Sequence, residues 1–505
     1  MNSRHWQIVG DLRFIRLLTV LASLSLSLLA VLLNELPNTD AYTYVKAAEL
    51  ALQNGPAAAF AHYQWPQLPL LMSAVQWLTG LSLFAAANLI NALLFALLSV
   101  SFVSIVAAMT PSRRTIWLAF ICVLLYPHLN EFRAYLIRDI GYLAFCLLAV
   151  YYLIVYTESL RLRFGLYFLL SCLAAAMFRP EALLFLFITP VAVLVPTHSR
   201  INLRQRAFLR LQGLSVLTLA ILGGGFAALA FDIPAQLSTF LTIYQPFLSN
   251  LAPLFGAQSP ALEQAVFGDY AAQFVGDYTS AFLLSGLIAV LVACIVDSLG
   301  LAVVPVMIYG ALQRTVKLPQ PALAVIVSWM AVALLILLMF VFLTRFVTTR
   351  YTLLLGVLVL VFVPFVIDRG LSLAASASRK GFGRWMVLLL VFAAFDAHVS
   401  FGAPKRHLDA ASQWINSSTR PAAPLLTNEI HIAYQSGKVD NYDEVRRELP
   451  GINILAAPPG TIIAVTPRRS FQDQLDLGIS NGSLRLLREF PAERGASLLV
   501  FEKEL

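Results

Sequence analysis

Residues 34–69 read NELPNTDAYTYVKAAELALQNGPAAAFAHYQWPQLP, and the segments on either side decide the fold. Residues 12–33 run LRFIRLLTVLASLSLSLLAVLL, and residues 81–109 run LSLFAAANLINALLFALLSVSFVSIVAAM. Between them these two runs carry only Arg13 and Arg16. Each is long enough for a helix to cross a hydrocarbon core about 30 Å thick. Residues 34–69 are therefore the first loop on the far side of a membrane.

The rest of the chain agrees. It is 59% hydrophobic and 12% charged, whereas a soluble domain carries about 25% charged residues. Apolar runs of helix length recur, and alternating strands of the kind a membrane barrel needs are absent from the sequence pattern. We read eleven spans, over 12–33, 81–109, 112–127, 140–156, 164–178, 182–195, 211–231, 281–312, 322–343, 351–367 and 385–401. Segment 281–312, interrupted by Asp297, Gly300 and Pro305, is either one tilted span or an interfacial helix followed by a span. The fold class expected is an all-α polytopic membrane domain over 1–401 with a small α/β domain over 402–505. In that tail HLDAASQWI (407–415) and EIHIAYQSG (429–437) read as helices. APLLTNE (423–429), GTIIAVTP (460–467) and ASLLVFE (496–502) read as strands.

Loop charges set the orientation. With the N-terminus in the cytoplasm, seventeen Lys and Arg residues fall on cytoplasmic loops. Only Lys46, Arg133, Arg138, Arg179, Arg345 and Arg350 fall on the opposite side before the tail, which itself then lies outside. The long loop 232–280 has no Lys or Arg and fits the outer face. This placement accounts for the net charge of +8 without nucleic acid. Cys122, Cys146, Cys172 and Cys294 sit in apolar runs without ligand spacing, so neither a disulfide nor a metal site is expected.

Several polar residues admit two readings. Asp40 either caps the helix that ends at Gly55 or serves as a catalytic carboxylate. Arg345 and Arg350, in RFVTTRY, either snorkel to lipid headgroups or bind an anion. Arg138 and Asp139 are either an ion pair at the membrane edge or part of a site. Arg179 and Glu181 read as local pairing at a helix start, and His62 with Tyr63 and Trp65 as an interfacial aromatic belt or a substrate contact.

The order of these features resembles one family. An Asp-containing first loop is followed by a helix ending in Gly, then WPQLPLL (65–71) and AANLIN (86–91). RDIGYLAF (138–145), FRPEALLF (178–185), TTRYTLLLGVLVLVFVPF (348–365) and KRHLDAASQWINSSTRPAAPLLTNEIHIAYQSGK (405–438) come after. The chain is similar to GT-C fold glycosyltransferases that use polyprenyl-phosphate sugars, in particular bacterial relatives of protein O-mannosyltransferases and of the lipid A aminoarabinose transferase. Relatives often carry Asp-Glu in the first loop; here Asp40 precedes Ala41. The resemblance implies an inverting transferase on the outer face of a bacterial inner membrane. Its donor is a polyprenyl-phosphate sugar, its acceptor a lipid, glycan or protein, and it needs no cofactor. It further implies Asp40 and Asp139 as catalytic carboxylates, Arg350, Tyr351, Arg138 and Arg345 as donor-phosphate ligands, and His62 and Tyr44 as substrate contacts. A transporter or flippase of lipid-linked glycans is the alternative function. A ligase or polymerase would centre on an outer loop bearing Arg and His, and 232–280 has neither.

Overall fold

A computed structural model describes residues 3–33, 36–196, 201–228, 242, 245–256, 260–275, 278–312, 319–376, 385, 388, 391–392, 395, 406–420, 422–445, 454–469, 471–493 and 495–504. The chain forms two compact units. One comprises Met1–Leu24, Leu94–Glu131 and Arg138–His398; the other comprises Ser25–Leu93, Phe132–Ile137 and Val399–Leu505.

The chain is a multi-pass membrane protein. Among the described residues six helices are long and apolar enough to cross a membrane, or eight if each of two bent pairs is one span. The six are Asp11–Leu33, Leu83–Met109, Asp139–Ser159, Ile201–Gly225, Thr279–Gly300 and Gln320–Thr344. Leu162–Phe178 and Ala182–Leu194, at two further expected spans, are apolar helices shorter than these six. Segment 281–312 breaks at Gly300, whose φ of 75° ends one helix before the short Val303–Leu312 continues. The expected span 385–401 falls almost entirely outside the described residues.

Within the first unit helices such as Asp139–Ser159 and Gln320–Thr344 are apolar nearly all round, so packing rather than amphipathicity sets their arrangement. Asp139–Ser159 and Leu162–Phe178 form a hairpin joined through Leu160 and Arg161. Gly141 lets the aromatic ring of Phe178 lie directly on the backbone; a Cβ at that glycine would fall 2.4 Å from the ring. Trp329 is fully buried and stacks on Phe185 with ring centroids 4.3 Å apart. Hydroxyl groups in the spans turn back onto their own helix, as Ser99 does to the Phe95 carbonyl at 2.8 Å. Buried Arg204 donates to the Val193 carbonyl at 2.9 Å and to the Thr157 carbonyl at 3.2 Å. Those carbonyls lie in the last turns of two helices and have no later amide to bond them.

In the second unit, the first-loop helices are Thr39–Asn54, Pro56–His62 and Gln67–Thr79. Gly55, with φ 85°, ends the first of these where the sequence places its stop. The tail folds as expected into helices flanking a four-stranded sheet. Its strands are β1 Leu425–Thr427, β2 Ile462–Val465, β3 Leu484–Phe490 and β4 Leu498–Lys503, in the order β1-β2-β4-β3. Only the β1–β2 pair is parallel. Alternate residues of β2 face two cores: Ile462 and Ala464 join Leu408, Ala411 and Ile415, while Ile463 and Val465 join Phe471 and Leu475. Strand β3 went unread in the sequence because SLRLLREF lacks alternation. It is an edge strand with a bulge between Leu486 and Arg488, and its outward charges suit an edge.

Replacing Arg204 by Met removes both carbonyl partners while keeping the apolar stem. We expect a loss of about 2 kcal/mol, read as a lower thermal midpoint of the detergent-solubilised protein.

Candidate active site

The residues singled out in the sequence fall in two polar constellations, one in each unit. In the membrane unit the 139–178 hairpin returns the end of its second helix to the start of its first. Asp139, the first residue of its helix, sits in the positive field of that N-terminus. Arg179, the residue after Phe178, is thereby brought beside it. Arg179 Nη1 donates to Asp139 Oδ1 at 2.8 Å, and Nη2 donates to Glu181 Oε1 at 3.0 Å. Arg350, second residue of helix Thr349–Leu360, reaches the other oxygen of Asp139, with Nε 3.4 Å from Oδ2. Asp139 and Arg179 are almost wholly buried, with side chains 5% and 11% exposed.

Aromatic faces complete the cluster. The Arg179 guanidinium lies over Tyr142 at 5.4 Å and over Tyr351 at 5.1 Å, and Arg350 lies over Tyr351 at 5.4 Å. A cavity of about 20 Å³ beside them is lined by Tyr142, Arg179 and Tyr351 together with apolar side chains such as Phe340 and Leu354. Arg138, at the cap of the Asp139 helix, acts electrostatically on Glu181. Arg138 Nη1 and Glu181 Oε2 are buried atoms with no hydrogen-bond partner among the described residues. Among the described residues three arginines thus meet two carboxylates, leaving one positive charge in excess, together with a buried donor that has no hydrogen-bond partner there. Burial pushes the Glu181 carboxyl up, but the Arg179 guanidinium outweighs this and holds it below the usual carboxylate range, with Arg138 adding to the effect.

In the second unit, Asp40 lies in the first turn of helix Thr39–Asn54. The cap position belongs to Asn38, whose side chain turns away and grips Leu136 instead. Asn38 Nδ2 donates to the Leu136 carbonyl at 3.2 Å, and the Leu136 amide donates to Asn38 Oδ1 at 2.8 Å. Capping therefore does not explain Asp40. Tyr44, one turn after Asp40, packs edge-on to Tyr63 at 5.6 Å. His62 is engaged by the tail: its Nε2 is 2.8 Å from Asp443 Oδ2. Tyr42 bonds to His431, Lys46 to the Asp440 carbonyl and Glu49 to Tyr442.

Of the residues singled out in the sequence, Asp139, Arg350 and Tyr351 come together, and Arg138 adjoins them. Arg345 is placed otherwise. It ends helix Gln320–Thr344 with φ 54° and donates from Nη2 to the Asn250 carbonyl at 3.3 Å, bracing that loop. Asp40, Tyr44 and His62 belong to the other compact unit. Arg179 and Glu181 were readable only as a local pair. Their charges in FRPEALLF were the signal, and the link from Arg179 to Asp139 needed the hairpin.

No protein-family model matches the chain, and neither does any curated protein. Among solved structures it is similar to the Archaeoglobus fulgidus oligosaccharyltransferase in complex with Zn and sulfate. The identity is 12%, the TM-score 0.44, and the match covers 90% of this chain and 68% of that one. It is similar to the same organism's oligosaccharyltransferase AglB in complex with an inhibitory peptide and a dolichol-phosphate, at 13% identity and TM-score 0.43, over 90% and 69% of the two chains. It is also similar to ArnT from Cupriavidus metallidurans in the apo state, at 12% identity and TM-score 0.38, over 96% and 97%. These superpositions are weak, and no residue role is taken from them.

The Glu181 carboxylate contributes stability above the ordinary glutamate pKa of about 4.3, and that contribution is lost as pH falls through its lowered folded value. Arg179→Gln removes the partner. The acid-side decline of the thermal midpoint should therefore be shallower in Arg179→Gln than in the native protein, as measured by unfolding scans across pH 3–6.

Proposed function

We propose that this protein is an inverting membrane glycosyltransferase that moves a sugar from a polyprenyl-phosphate donor to a lipid, glycan or protein acceptor on the outer face of a bacterial inner membrane. The observation that carries the reading is the cluster of Arg138, Arg179 and Arg350 around Asp139 and Glu181. It carries excess positive charge, has Asp139 and Arg179 buried at its centre with Arg350 and Glu181 part-exposed, and is flanked by the rings of Tyr142 and Tyr351. Such a cluster suits a phosphate held at a membrane edge. The outer-face assignment rests on the loop charges.

In this mechanism Asp40 accepts the proton of the acceptor hydroxyl as that oxygen attacks the anomeric carbon. The bond from the anomeric carbon to the phosphate oxygen breaks, and the lipid phosphate leaves with the electron pair. One displacement inverts the anomeric centre. Arg350 and Arg138 take up the growing phosphate charge. Asp139 accepts from Arg179 and pairs with Arg350, so its part is to hold both guanidinium groups in place beside the phosphate. Tyr351 and Tyr44 supply aromatic surface for substrate. His62, bound to Asp443, supports the loop. The resemblance in the order of motifs, including Asp40 in the first loop, supports the same class of reaction.

The test is transfer from undecaprenyl-phosphate sugars in membranes, followed by mass spectrometry of the products. Asp40→Asn should lower turnover by roughly 10²–10⁴-fold. Arg350→Gln should raise the donor KM and lower kcat. Native activity in Asp40→Asn would refute the base. Movement of donor across the bilayer without a new glycosidic bond would favour the transporter reading.

A further inference from the structure

The helix that carries Asp40 has two working faces. At about 100° per residue, Tyr42, Lys46 and Glu49 fall on one side and Asp40, Tyr44 and Ala47 on the opposite side. All three residues of the first face are held by the C-terminal tail. Tyr42 Oη is 2.7 Å from His431 Nδ1, and His431 Nε2 is 2.7 Å from Asp409 Oδ1. Lys46 Nζ donates to the Asp440 carbonyl at 2.8 Å, and Tyr442 Oη donates to Glu49 Oε2 at 2.9 Å.

A carboxylate only accepts, so His431 donates its Nε2–H to Asp409. The other ring nitrogen, Nδ1, and the Tyr42 hydroxyl share the second hydrogen bond of the chain. Tyr42 and His431 are both buried, at 1% and 4% exposure. Burial, and then the charge of Asp409, push the Tyr42 phenol up, so the hydroxyl keeps its proton. The groups facing this chain are the rings of Phe84 and Tyr434 against Tyr42, while Glu49 and Tyr442 close the same interface. The contacts on this helix face come from His431 in helix Ile430–Ser436 and from Asp440 and Tyr442 in the segment after it, and Asp409, in helix Arg406–Ser418, holds His431 from behind.

We propose that His431, fixed by Asp409, is a positioning residue for the reaction: through Tyr42 it sets the rotation of the Thr39–Asn54 helix about its axis and so aims Asp40. The inference rests on the reading of Asp40 as the base. A side-chain end about 6 Å from a helix axis moves about 2 Å for a rotation of about 20°, and a misplacement near 1 Å can cost about 10² in rate. The C-terminal domain is thus a mechanical part of the transferase. It acts on the face of the helix turned away from the chemistry.

The experiment uses the full chain in proteoliposomes. The donors are undecaprenyl-phosphate mannose and undecaprenyl-phosphate aminoarabinose, and lipid from the source membrane is the acceptor. Tyr42→Phe keeps the ring and removes only the hydroxyl; His431→Gln and Asp409→Asn break the chain at its other links. Each should lower kcat by about tenfold or more while leaving the donor KM within about twofold, and Asp409→Glu should restore most of the loss. Amide exchange over residues 41–50 should quicken about tenfold in Tyr42→Phe, with the rest of the tail unchanged. Placed on Asp40→Asn, Tyr42→Phe should cost nothing further, because the two act through one group. Faster exchange with native kcat would mean a purely structural contact and overturn the inference, as would native values of both. Additive losses with Asp40→Asn would also overturn it. Native activity in Asp40→Asn alone would instead refute the catalytic reading, and is distinguished by leaving the exchange result intact.

Discussion

The membrane unit depends on one arginine. Arg179 holds Asp139 with one nitrogen and Glu181 with another, and its plane rests between Tyr142 and Tyr351. Charges at a membrane edge are costly unless each finds a partner. Asp139 and Glu181 persist there because the guanidinium fork serves both at once, which a lysine could not do with the same geometry. Arg350 takes the remaining oxygen of Asp139. The net charge left over is positive, and the proposed phosphate site rests on that property.

The second unit solves a different problem. A first-loop helix of 16 residues is marginal by itself, and the residue proposed to do chemistry sits in its first turn. Its opposite face is fastened by hydrogen bonds from His431, Asp440 and Tyr442 of the tail, and its own end is fixed by Asn38 on Leu136. Rigidity is thereby supplied from the face opposite Asp40.

Much of the architecture was legible in the residues. Long apolar runs dictate membrane helices because no other backbone arrangement satisfies its amides in lipid. Gly55 and Gly300 marked where helices stop or break. The tail's strands 425–427, 462–465 and 498–503 stood out as β-branched and aliphatic runs between turns, whereas β3, with its outward arginines, did not. The apolar runs on either side of Arg179 were read as spans, and both are helices, shorter than the other six.

The sequence by itself determined the class: a multi-pass helical protein with a small α/β tail, and a set of charges that lipid does not tolerate without a reason. It also singled out Asp40, Asp139 and Arg350. Only the tertiary structure decided how those charges are paired. The hairpin under Gly141 and Phe178 puts Arg179 on Asp139, and the fold of the tail puts His431 on Tyr42. The physical reason is that hydrophobic periodicity is a local property of the chain. The partner of a buried charge is set by which distant backbone the packing brings within about 3 Å of it.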